Sequence, residues 1–441
     1  MKRGRKLGPL LATGLVASNM IGSGIFLLPA SLATVGSVTV IGWLIGTIGA
    51  VLIAMVLARL GGVVPVAGGP CTYATRAFGR FFGFQANAIY WISCWTGNVA
   101  IALAAIGYLA SLFPQLNAPL VSASATVILI WMLTLANILG PRFVCQIETI
   151  AILFGLAPIL IVATVGWWYF DGHLFMASWN VTHEPAIRVI PESLVLLFWA
   201  FTGLESASIV TSVVENPRRN VPIATLCGVL IAAVVYISSC TAIMGLIPAA
   251  VMRDSTAPFA DAVKVILGPV AGAAIAVAAV LKATGTLGGW ILMTAQTGRA
   301  AAEQALFPGL FGRTDAQGVP VVSLLWMAVV MSATVFLTIS PTLGQQFGRL
   351  ISVSVILCLL MYIYACMAVL YFRRWAPGAV ALAAYRPVAL AAAVFCVVVI
   401  AYSGLSMLLL TAGIIGLSAL VYWIFGRRWG AGRESGAVSS G

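Results

Sequence analysis

The sequence predicts an all-α membrane protein with twelve transmembrane helices, and three observations predict this fold class. Of the 441 residues, 62% are hydrophobic and only 8% are charged, whereas a soluble domain of this size needs far more charge on its surface. Apolar stretches of about 20 residues recur along the chain, each long enough to cross a hydrocarbon core roughly 30 Å thick. Basic residues gather in alternate connections between these stretches, as membrane topology requires.

The apolar stretches divide the chain into twelve predicted spans, which we number in chain order. They run near 8–30, 38–60, 83–113, 118–140, 147–169, 190–214, 221–248, 264–297, 320–340, 347–372, 386–405 and 407–426. All twelve belong to a single predicted domain over 1–426. The remaining segment, 427–441, is rich in glycine and serine, and its composition predicts a disordered tail.

The distribution of lysine and arginine orients the predicted spans. With the N-terminus inside, eighteen basic residues fall on the cytoplasmic side, and only Arg188, Arg253, Lys264 and Arg349 fall on the outer side. This asymmetry predicts that both termini are cytoplasmic, in a bacterial-type inner membrane. Lys282 belongs to neither set, because it lies within the eighth predicted span.

Composition and spacing argue against several other classes of protein. The formal net charge of +12 comes with no basic, aromatic-interleaved face, so nucleic acid is not a predicted partner. The eight cysteines show no metal-ligand spacing and are typical of small packing residues. His173 and His183 lie in the outer loop near 170–190, where solvated side chains are a simpler interpretation than a metal site. No cofactor, metal or catalytic set is predicted.

The first predicted span is interrupted by glycine near its middle. It reads LATGLVASNMIGSGIFLLPA, with Gly22, Ser23 and Gly24 at mid-depth. Glycine weakens a helix, and backbone groups that leave the helix are tolerated in a membrane only where they line a cavity or meet a ligand. The alternative interpretation is a face of small residues that packs against another helix.

The sixth predicted span carries a matching interruption at Thr202-Gly203, with Glu205 two residues later. Gly22 and Gly203 are 203 − 22 = 181 residues apart, close to the length of five helices with their loops. This pattern predicts two inverted repeats of five helices, about 8–169 and 190–372, of the LeuT type, with two further spans over about 386–426. The broken ends offer partial charges of both signs, which favours an amino acid or a related amine as the solute.

Four stretches resemble a known family. They are NMIGSGIFLLPA (19–30), YWISCWTGN (90–98), FWAFTGLESAS (198–208) with VVENPRRNVPIAT (213–225), and GTLGGW (285–290). Together they resemble the basic amino acid/polyamine antiporters of the amino acid–polyamine–organocation superfamily, with the arginine–agmatine antiporters as the most similar branch. The resemblance covers essentially the whole chain. It implies secondary active exchange by alternating access, and a homodimer through the last two spans.

The resemblance also implies which residues bind substrate. The α-amino and carboxylate groups would meet the first-span break, and a distal cation would stack on aromatic rings and meet polar groups of the third and tenth spans. The implied substrate-binding residues are Asn19, Ile21, Gly22, Ser23, Gly24, Ser93, Cys94, Asn98, Trp199, Thr202, Trp290 and Ser354. A desolvated cation–π contact contributes about 2 kcal/mol, so Trp199 and Trp290 suit a cation on chemical grounds as well.

Four residues are predicted to act in gating or proton linkage. The resemblance implies an outer gate of Tyr90, Glu205 and Tyr362. Glu205 is the acidic residue placed deep in the membrane, so it is expected to be paired, neutral or open to a vestibule. Lys282 departs from the family, whose antiporters carry a small neutral residue near this position. We expect its ammonium to occupy the place where sodium binds in sodium-coupled relatives of the fold.

Two more departures bear on the substrate. Cys71 stands where the arginine–agmatine branch has a gating tyrosine, and Thr202 replaces an aliphatic residue. Together with Lys282 these departures weigh against a preference for guanidinium, and arginine–agmatine exchange is the first expectation because of the resemblance. Ornithine–putrescine or lysine–cadaverine exchange is the alternative, and proton-coupled amino acid uptake with Lys282 in place of sodium is another. An enzyme or a channel is disfavoured, because the spans contain neither a nucleophile–base set nor a filter repeat.

Overall fold

The computed structural model describes residues 8–21, 23–63, 69–140, 155–205, 214–371 and 382–426, without the side chains at positions 15, 19, 23, 217 and 218. Within these ranges the elements of secondary structure are helices. In chain order they are α1 (Pro9–Met20), α2 (Leu28–Ala33), α3 (Thr39–Val63), α4 (Gly69–Phe78), α5 (Arg80–Leu112), α6 (Pro119–Leu139), α7 (Gly155–Tyr169), α8 (Gly172–Ala177), α9 (Ala186–Phe198), α10 (Pro217–Leu246), α11 (Ala249–Met252), α12 (Pro258–Leu267), α13 (Pro269–Glu303), α14 (Val321–Leu337), α15 (Leu343–Tyr371), α16 (Arg386–Ala401) and α17 (Leu405–Val421).

Seven helices in the described part of the chain are long and apolar enough to cross a membrane. They are α3, α5, α6, α10 from Arg219 onward, α13, α15, and α17 with its continuation to Gly426. Shorter apolar helices cover Pro9–Ser18, Gly155–Tyr169, Val321–Leu337 and Arg386–Ala401. The predicted all-helical fold is therefore confirmed. The count of twelve crossings and the inverted repeat stay predictions, since parts of the fifth and sixth predicted spans lie outside the described residues.

The first predicted span is discontinuous, as the glycines indicate. Helix α1 ends at Met20, and the backbone N–H of Ile21 makes the last bond, to the Ala17 carbonyl at 2.7 Å. A single 3-10 turn over Ser23–Ile25 follows before α2 begins. Pro29 lies in the first turn of α2, where its missing N–H costs nothing. The backbone thus leaves the α-helix at the point predicted to be mid-depth.

The sixth predicted span also breaks where expected. Helix α9 ends at Phe198, a 3-10 turn covers Trp199–Phe201, and turns continue to Glu205. Gly203 has φ of +97°, a conformation that side-chain-bearing residues rarely adopt. The Thr202 hydroxyl donates to the Trp199 carbonyl at 2.7 Å and satisfies one of the groups freed by the break.

Helix α5 lies at the centre of the bundle and α17 at its edge. In its most apolar 18-residue window α5 is 89% buried, whereas the corresponding share for α17 is 11%. Helices α13 and α15 both pack along α5, and α10 packs against α1 and α3. Because α5 touches so many partners, its side chains can reach a central site from the third predicted span.

The eighth predicted span begins later than expected. The run 264–297 was predicted as one helix, but Lys264 belongs to α12, and a new helix starts at Pro269. Gly268 between them has φ of +89°, so it ends α12 in a conformation that favours glycine, and proline then opens α13. Helix α13 continues to Glu303, six residues beyond the predicted end. The outer loop likewise contains a short helix, α8, whose N-terminus is capped by the Asp171 carboxylate.

Tyr108 joins three elements on the side predicted to be outer. Its hydroxyl donates to the carbonyl of Phe26, just after the first-span break, at 2.9 Å. The same oxygen accepts the backbone N–H of Phe259 in α12 at 3.1 Å. The rings of Tyr108 and Phe259 both meet that of Phe26 in T-shaped contacts. This fully buried cluster fixes α2 and α12 to α5.

Candidate functional site

A small pocket lies between the two broken spans and helices α5, α13 and α15. Its volume is about 60 Å³, well below the roughly 300–1,000 Å³ of pockets that hold drug-sized ligands. The lining residues are Met20, Gly24, Tyr90, Ser93, Cys94, Gly97, Asn98, Ile101, Trp199, Ala200, Thr202, Gly203, Glu205, Thr286, Trp290, Ser354 and Cys358. The structure therefore shows a contracted site, which must widen before an amino acid can occupy it.

Trp199 connects the two broken spans directly. Its indole N–H donates to the carbonyl of Gly24 at 3.0 Å. A methyl group on Gly24 would stand 2.5 Å from the indole nitrogen, and one on Gly97 would stand 3.1 Å from the far edge of the ring. Phe347 of α15 meets the indole edge-on, with ring centroids 6.5 Å apart. Glycine at both positions is thus what lets the ring lie flat between α5 and the first-span break.

Glu205 is held by two tyrosines at the other end of the pocket. The Tyr90 hydroxyl donates to Oε1 at 3.0 Å, and the Tyr362 hydroxyl donates to Oε2 at 2.6 Å. The residue is only 2% exposed, and no other acidic side chain is buried in the described part of the chain. Burying a carboxylate without partners is costly, so the hydroxyls stabilise it. The predicted trio of Tyr90, Glu205 and Tyr362 therefore forms one hydrogen-bonded unit that joins α5 to α15.

A pair of serines fixes α15 against α5 beside the pocket. The Ser93 hydroxyl donates to the Ser354 carbonyl at 2.7 Å, and the Ser354 hydroxyl donates to the Ser93 carbonyl at 2.8 Å. Asn98, one turn further along α5, donates its amide to the Thr294 hydroxyl of α13 at 3.0 Å. These bonds hold three predicted binding residues in fixed positions, so the polar wall of the pocket is preorganised.

One face of α13 presents Lys282, Thr286 and Trp290 at successive four-residue intervals. Lys282 is 3% exposed, and its carbon chain lies directly against Gly155 of α7, where a methyl group would overlap it. Helix α13 also contacts the Ser23–Ile25 turn. Thr286 is 5% exposed, and its hydroxyl has no hydrogen-bond partner in the part of the chain that the structure describes. A buried, unpaired hydroxyl that faces a pocket is available to a ligand.

Most of the predicted site residues meet in this pocket. The predicted residues that line it are Gly24, Tyr90, Ser93, Cys94, Asn98, Trp199, Thr202, Glu205, Trp290 and Ser354. Ile21 is buried beside the break but outside the lining, Tyr362 stands behind Glu205, and Lys282 lies one turn from Thr286. Gly22 and the side chains of Asn19 and Ser23 lie outside the described residues. Their role in binding stays a prediction.

Six lining residues were missed by sequence reasoning. They are Met20, Gly97, Ile101, Ala200, Thr286 and Cys358, whereas Gly203, which also lines the pocket, was predicted as part of the sixth-span break. The position of Thr286 in the lining could have been predicted, because it lies four residues before Trp290 and shares its helix face. Cys71, expected to alter a gate, is buried in α4 with its thiol 3.7 Å from the Ala86 carbonyl, outside the pocket lining.

An apolar helical bundle with a pocket at two interrupted helices is the architecture expected of a multi-pass membrane transporter. A sequence profile described as "Amino acid permease" matches residues 7–430. The chain therefore belongs to the amino acid permease family of the amino acid–polyamine–organocation superfamily. It is 38% identical to the cadaverine/lysine antiporter of Escherichia coli K12 over 378 residues, 85% of each chain. It is 36% identical to the putrescine transporter PotE of the same strain (84% of this chain, 85% of PotE), and 35% identical to PotE of Haemophilus influenzae (83% and 84%).

Proposed function

We propose that the protein is a secondary active antiporter that exchanges a basic amino acid for its decarboxylated amine. The observation that carries this proposal is the buried Glu205 carboxylate, held by Tyr90 and Tyr362 in a pocket that also contains Trp199 and Trp290. One carboxylate beside two indole rings suits an organic cation. The relatives named for cadaverine, lysine and putrescine support the same substrate class.

The two ends of the pocket suit the two ends of such a substrate. At the first-span break, the α-helix gives way to a single 3-10 turn around Gly24, and the backbone groups freed there suit the α-amino and carboxylate groups of an amino acid. Towards α5 and α15, Glu205 suits a distal cation, and the indole rings of Trp199 and Trp290 that line the same pocket offer it π faces. Decarboxylation removes only the carboxylate and its contacts and leaves both amino groups, so both exchange partners would share the distal cation site.

The order of candidate substrates follows from the relatives. Lysine–cadaverine exchange and transport of putrescine have support from the names of proteins 35–38% identical to this chain, and ornithine as the counter-substrate of putrescine stays a prediction. Arginine–agmatine exchange stays a prediction of the motif resemblance. Thr202 and Lys282 both make the surroundings of the pocket more polar than the resemblance implies, and neither favours guanidinium over ammonium by itself.

Proton-coupled amino acid uptake is the second candidate function, and Lys282 favours it. Its side chain is buried in the helix that contacts the Ser23–Ile25 turn, and it packs on Gly155 from another helix. An ammonium in this position would replace a bound metal cation and could release a proton when the bundle rearranges. In this alternative, the transported amino acid moves without a counter-substrate.

Transport in proteoliposomes distinguishes the two functions. Vesicles loaded with lysine, ornithine, arginine, cadaverine, putrescine or agmatine, or left empty, would receive radiolabelled lysine at two pH values. We expect uptake only into loaded vesicles, with the matching diamine as an effective counter-substrate. Equal uptake into empty vesicles that follows a pH gradient would favour the proton-coupled alternative. No saturable uptake of any basic amino acid or amine would contradict both.

We further propose the placement of the chain in the membrane. The excess of basic residues on one side supports cytoplasmic termini and a bacterial-type inner membrane. The resemblance to the basic amino acid/polyamine antiporters supports a homodimer through the last two spans. Cross-linking of purified protein in lipid and protease access to a C-terminal tag would test these two placements.

A further inference from the structure

A second cavity, polar and much larger than the central pocket, opens on the side predicted to be outer. Its volume is about 560 Å³. It lies between the end of α2, the segment after α11 and the first half of α15, and it contains three charged side chains, Arg253, Asp254 and Arg349. We call it the access cavity.

The access cavity lies directly above the central pocket. Along α9 it meets Leu196, and the pocket begins three residues later at Trp199. Along α15 it meets Ser352, and the pocket begins at Ser354. The two spaces are therefore separated by about one helical turn. Trp199 lines the central pocket but not the access cavity, and its indole is bonded to Gly24 at the first-span break.

The charges of the access cavity have a sign and an arrangement that suit an amino acid. Arg349 donates to the Ser340 hydroxyl at 3.2 Å, and Arg253 pairs with the adjacent Asp254 at 3.5 Å. Two guanidinium groups against one carboxylate leave the cavity with an excess of positive charge. Guanidinium groups bind carboxylates through planar, paired hydrogen bonds. A diamine has no carboxylate and would meet repulsion instead.

We propose that the access cavity is a second binding site, specific for the α-carboxylate of an arriving amino acid. This inference rests on the proposed exchange of a basic amino acid for its amine. The access cavity would select the substrate before it reaches the central pocket. On this side of the membrane, that selection favours the amino acid over the diamine. A diamine released from the pocket would also leave the cavity faster, because the arginines repel it.

The test compares transport kinetics from the two sides of the membrane. Right-side-out and inside-out vesicles loaded with counter-substrate would be prepared from the wild type, Arg349→Gln, Arg349→Lys and Arg253→Gln. Arg188→Gln is the matched control, since Arg188 is exposed on the same predicted side and pairs with Glu184 and Glu192 away from the cavity. Radiolabelled lysine and cadaverine are the probes, and KM and the maximal rate are measured for each.

We expect Arg349→Gln to raise the KM for lysine about threefold to tenfold in right-side-out vesicles, with the maximal rate unchanged. The KM for cadaverine should fall or stay constant, and the lysine effect should shrink in high salt. Arg349→Lys should retain most of the affinity. Arg253→Gln should change both KM values in the same direction as Arg349→Gln, so a misfolded Arg349 variant would not leave the proposal without a test.

Three outcomes would overturn the access cavity as a binding site. They are a lysine KM within twofold of the Arg188→Gln value, equal losses for lysine and cadaverine, and an effect confined to inside-out vesicles. Each leaves the exchange activity of the wild type intact, and with it the proposed function. If the wild type exchanges neither lysine nor cadaverine for any counter-substrate, the proposed function itself is wrong, and the inference fails with it.

Discussion

The indole nitrogen of Trp199 lies 3.0 Å from the carbonyl oxygen of Gly24, so the break in the sixth predicted span is bonded to the break in the first. This carbonyl lies in a 3-10 turn just after the break, and the indole N–H gives it a partner. The two interrupted helices therefore form one wall of the pocket, and neither can move without breaking the bond or carrying the other along.

Gly24→Ala is expected to reduce exchange about tenfold or more, since overpacking of a tight contact costs about 1–3 kcal/mol. The added methyl group would stand 2.5 Å from the Trp199 nitrogen and would displace the ring. Gly14→Ala is the matched control, because nothing lies within 4 Å of a methyl group there and it belongs to the same broken span. Initial rates in proteoliposomes with equal protein content decide the result. Equal activity of the two variants would contradict the prediction.

Trp199→Leu should raise the KM for a cationic substrate about thirtyfold, because a desolvated cation–π contact contributes about 2 kcal/mol. Trp199→Phe keeps a ring but loses the N–H donor to Gly24, so we expect an intermediate loss. The control is Trp168→Phe, at a tryptophan that is 79% exposed. If leucine and phenylalanine variants bind the substrate equally well, the ring is not the cation platform.

Glu205→Gln should lower the affinity for cationic substrates about tenfold or more, since a hydrogen bond to a charged group contributes about 1.5–3 kcal/mol. Glutamine keeps the size of the side chain but removes the only buried acidic group in the described residues. Tyr362→Phe removes one of the two hydroxyls and should have a smaller effect. Glu192→Gln, at an exposed surface pair with Arg188, serves as the control. Unchanged binding of cadaverine by Glu205→Gln, measured by calorimetry, would exclude a direct role.

Thr286→Val is expected to lower the affinity for substrate without lowering the stability of the protein. The hydroxyl is buried without a partner in the described structure, so its replacement by a methyl group should maintain or raise the melting temperature. If the hydroxyl bonds to the substrate, affinity should fall about threefold to tenfold, and Thr286→Ser should restore it. A variant with wild-type affinity would mean that the hydroxyl does not face the substrate.

Lys282→Met and Lys282→Gln test proton linkage. We expect uptake by both variants to lose most of its dependence on pH, because the buried ammonium is the proposed exchangeable charge. Gly155→Ala should have a related effect at constant charge, since its methyl group overlaps the Lys282 side chain. Gly172→Ala has open space around it and is the control. An unchanged rate and pH profile in the methionine and glutamine variants would contradict the proposed role.

The sequence predicted the helical fold because hydrophobic length alone identifies membrane-spanning segments. It predicted both breaks because glycine at mid-depth has a backbone cost that only a site or a close contact explains. The boundary between α12 and α13 was missed, although Gly268-Pro269 is a typical helix end and helix start. The sequence is apolar on both sides of Gly268-Pro269, so hydropathy did not indicate a boundary there.

The lining of the pocket was harder to predict than its location. Thr286 and Cys358 face the pocket because of the rotation of α13 and α15 about their axes, and rotation is fixed by packing against neighbouring helices. Hydropathy carries little of this information when all faces of a helix are apolar. Gly97 was missed for a related reason: its role is to admit the Trp199 ring from another part of the chain.

The Tyr108 hydroxyl has a mechanical consequence for any transport cycle. Movement of α2 or α12 away from α5 would leave the buried carbonyl of Phe26 or the buried N–H of Phe259 without its hydrogen-bond partner. Each loss costs about 1–3 kcal/mol. These elements should therefore travel as a single rigid body. The pivots are then expected just beyond them, where Gly36 and Gly268 have φ of +110° and +89°.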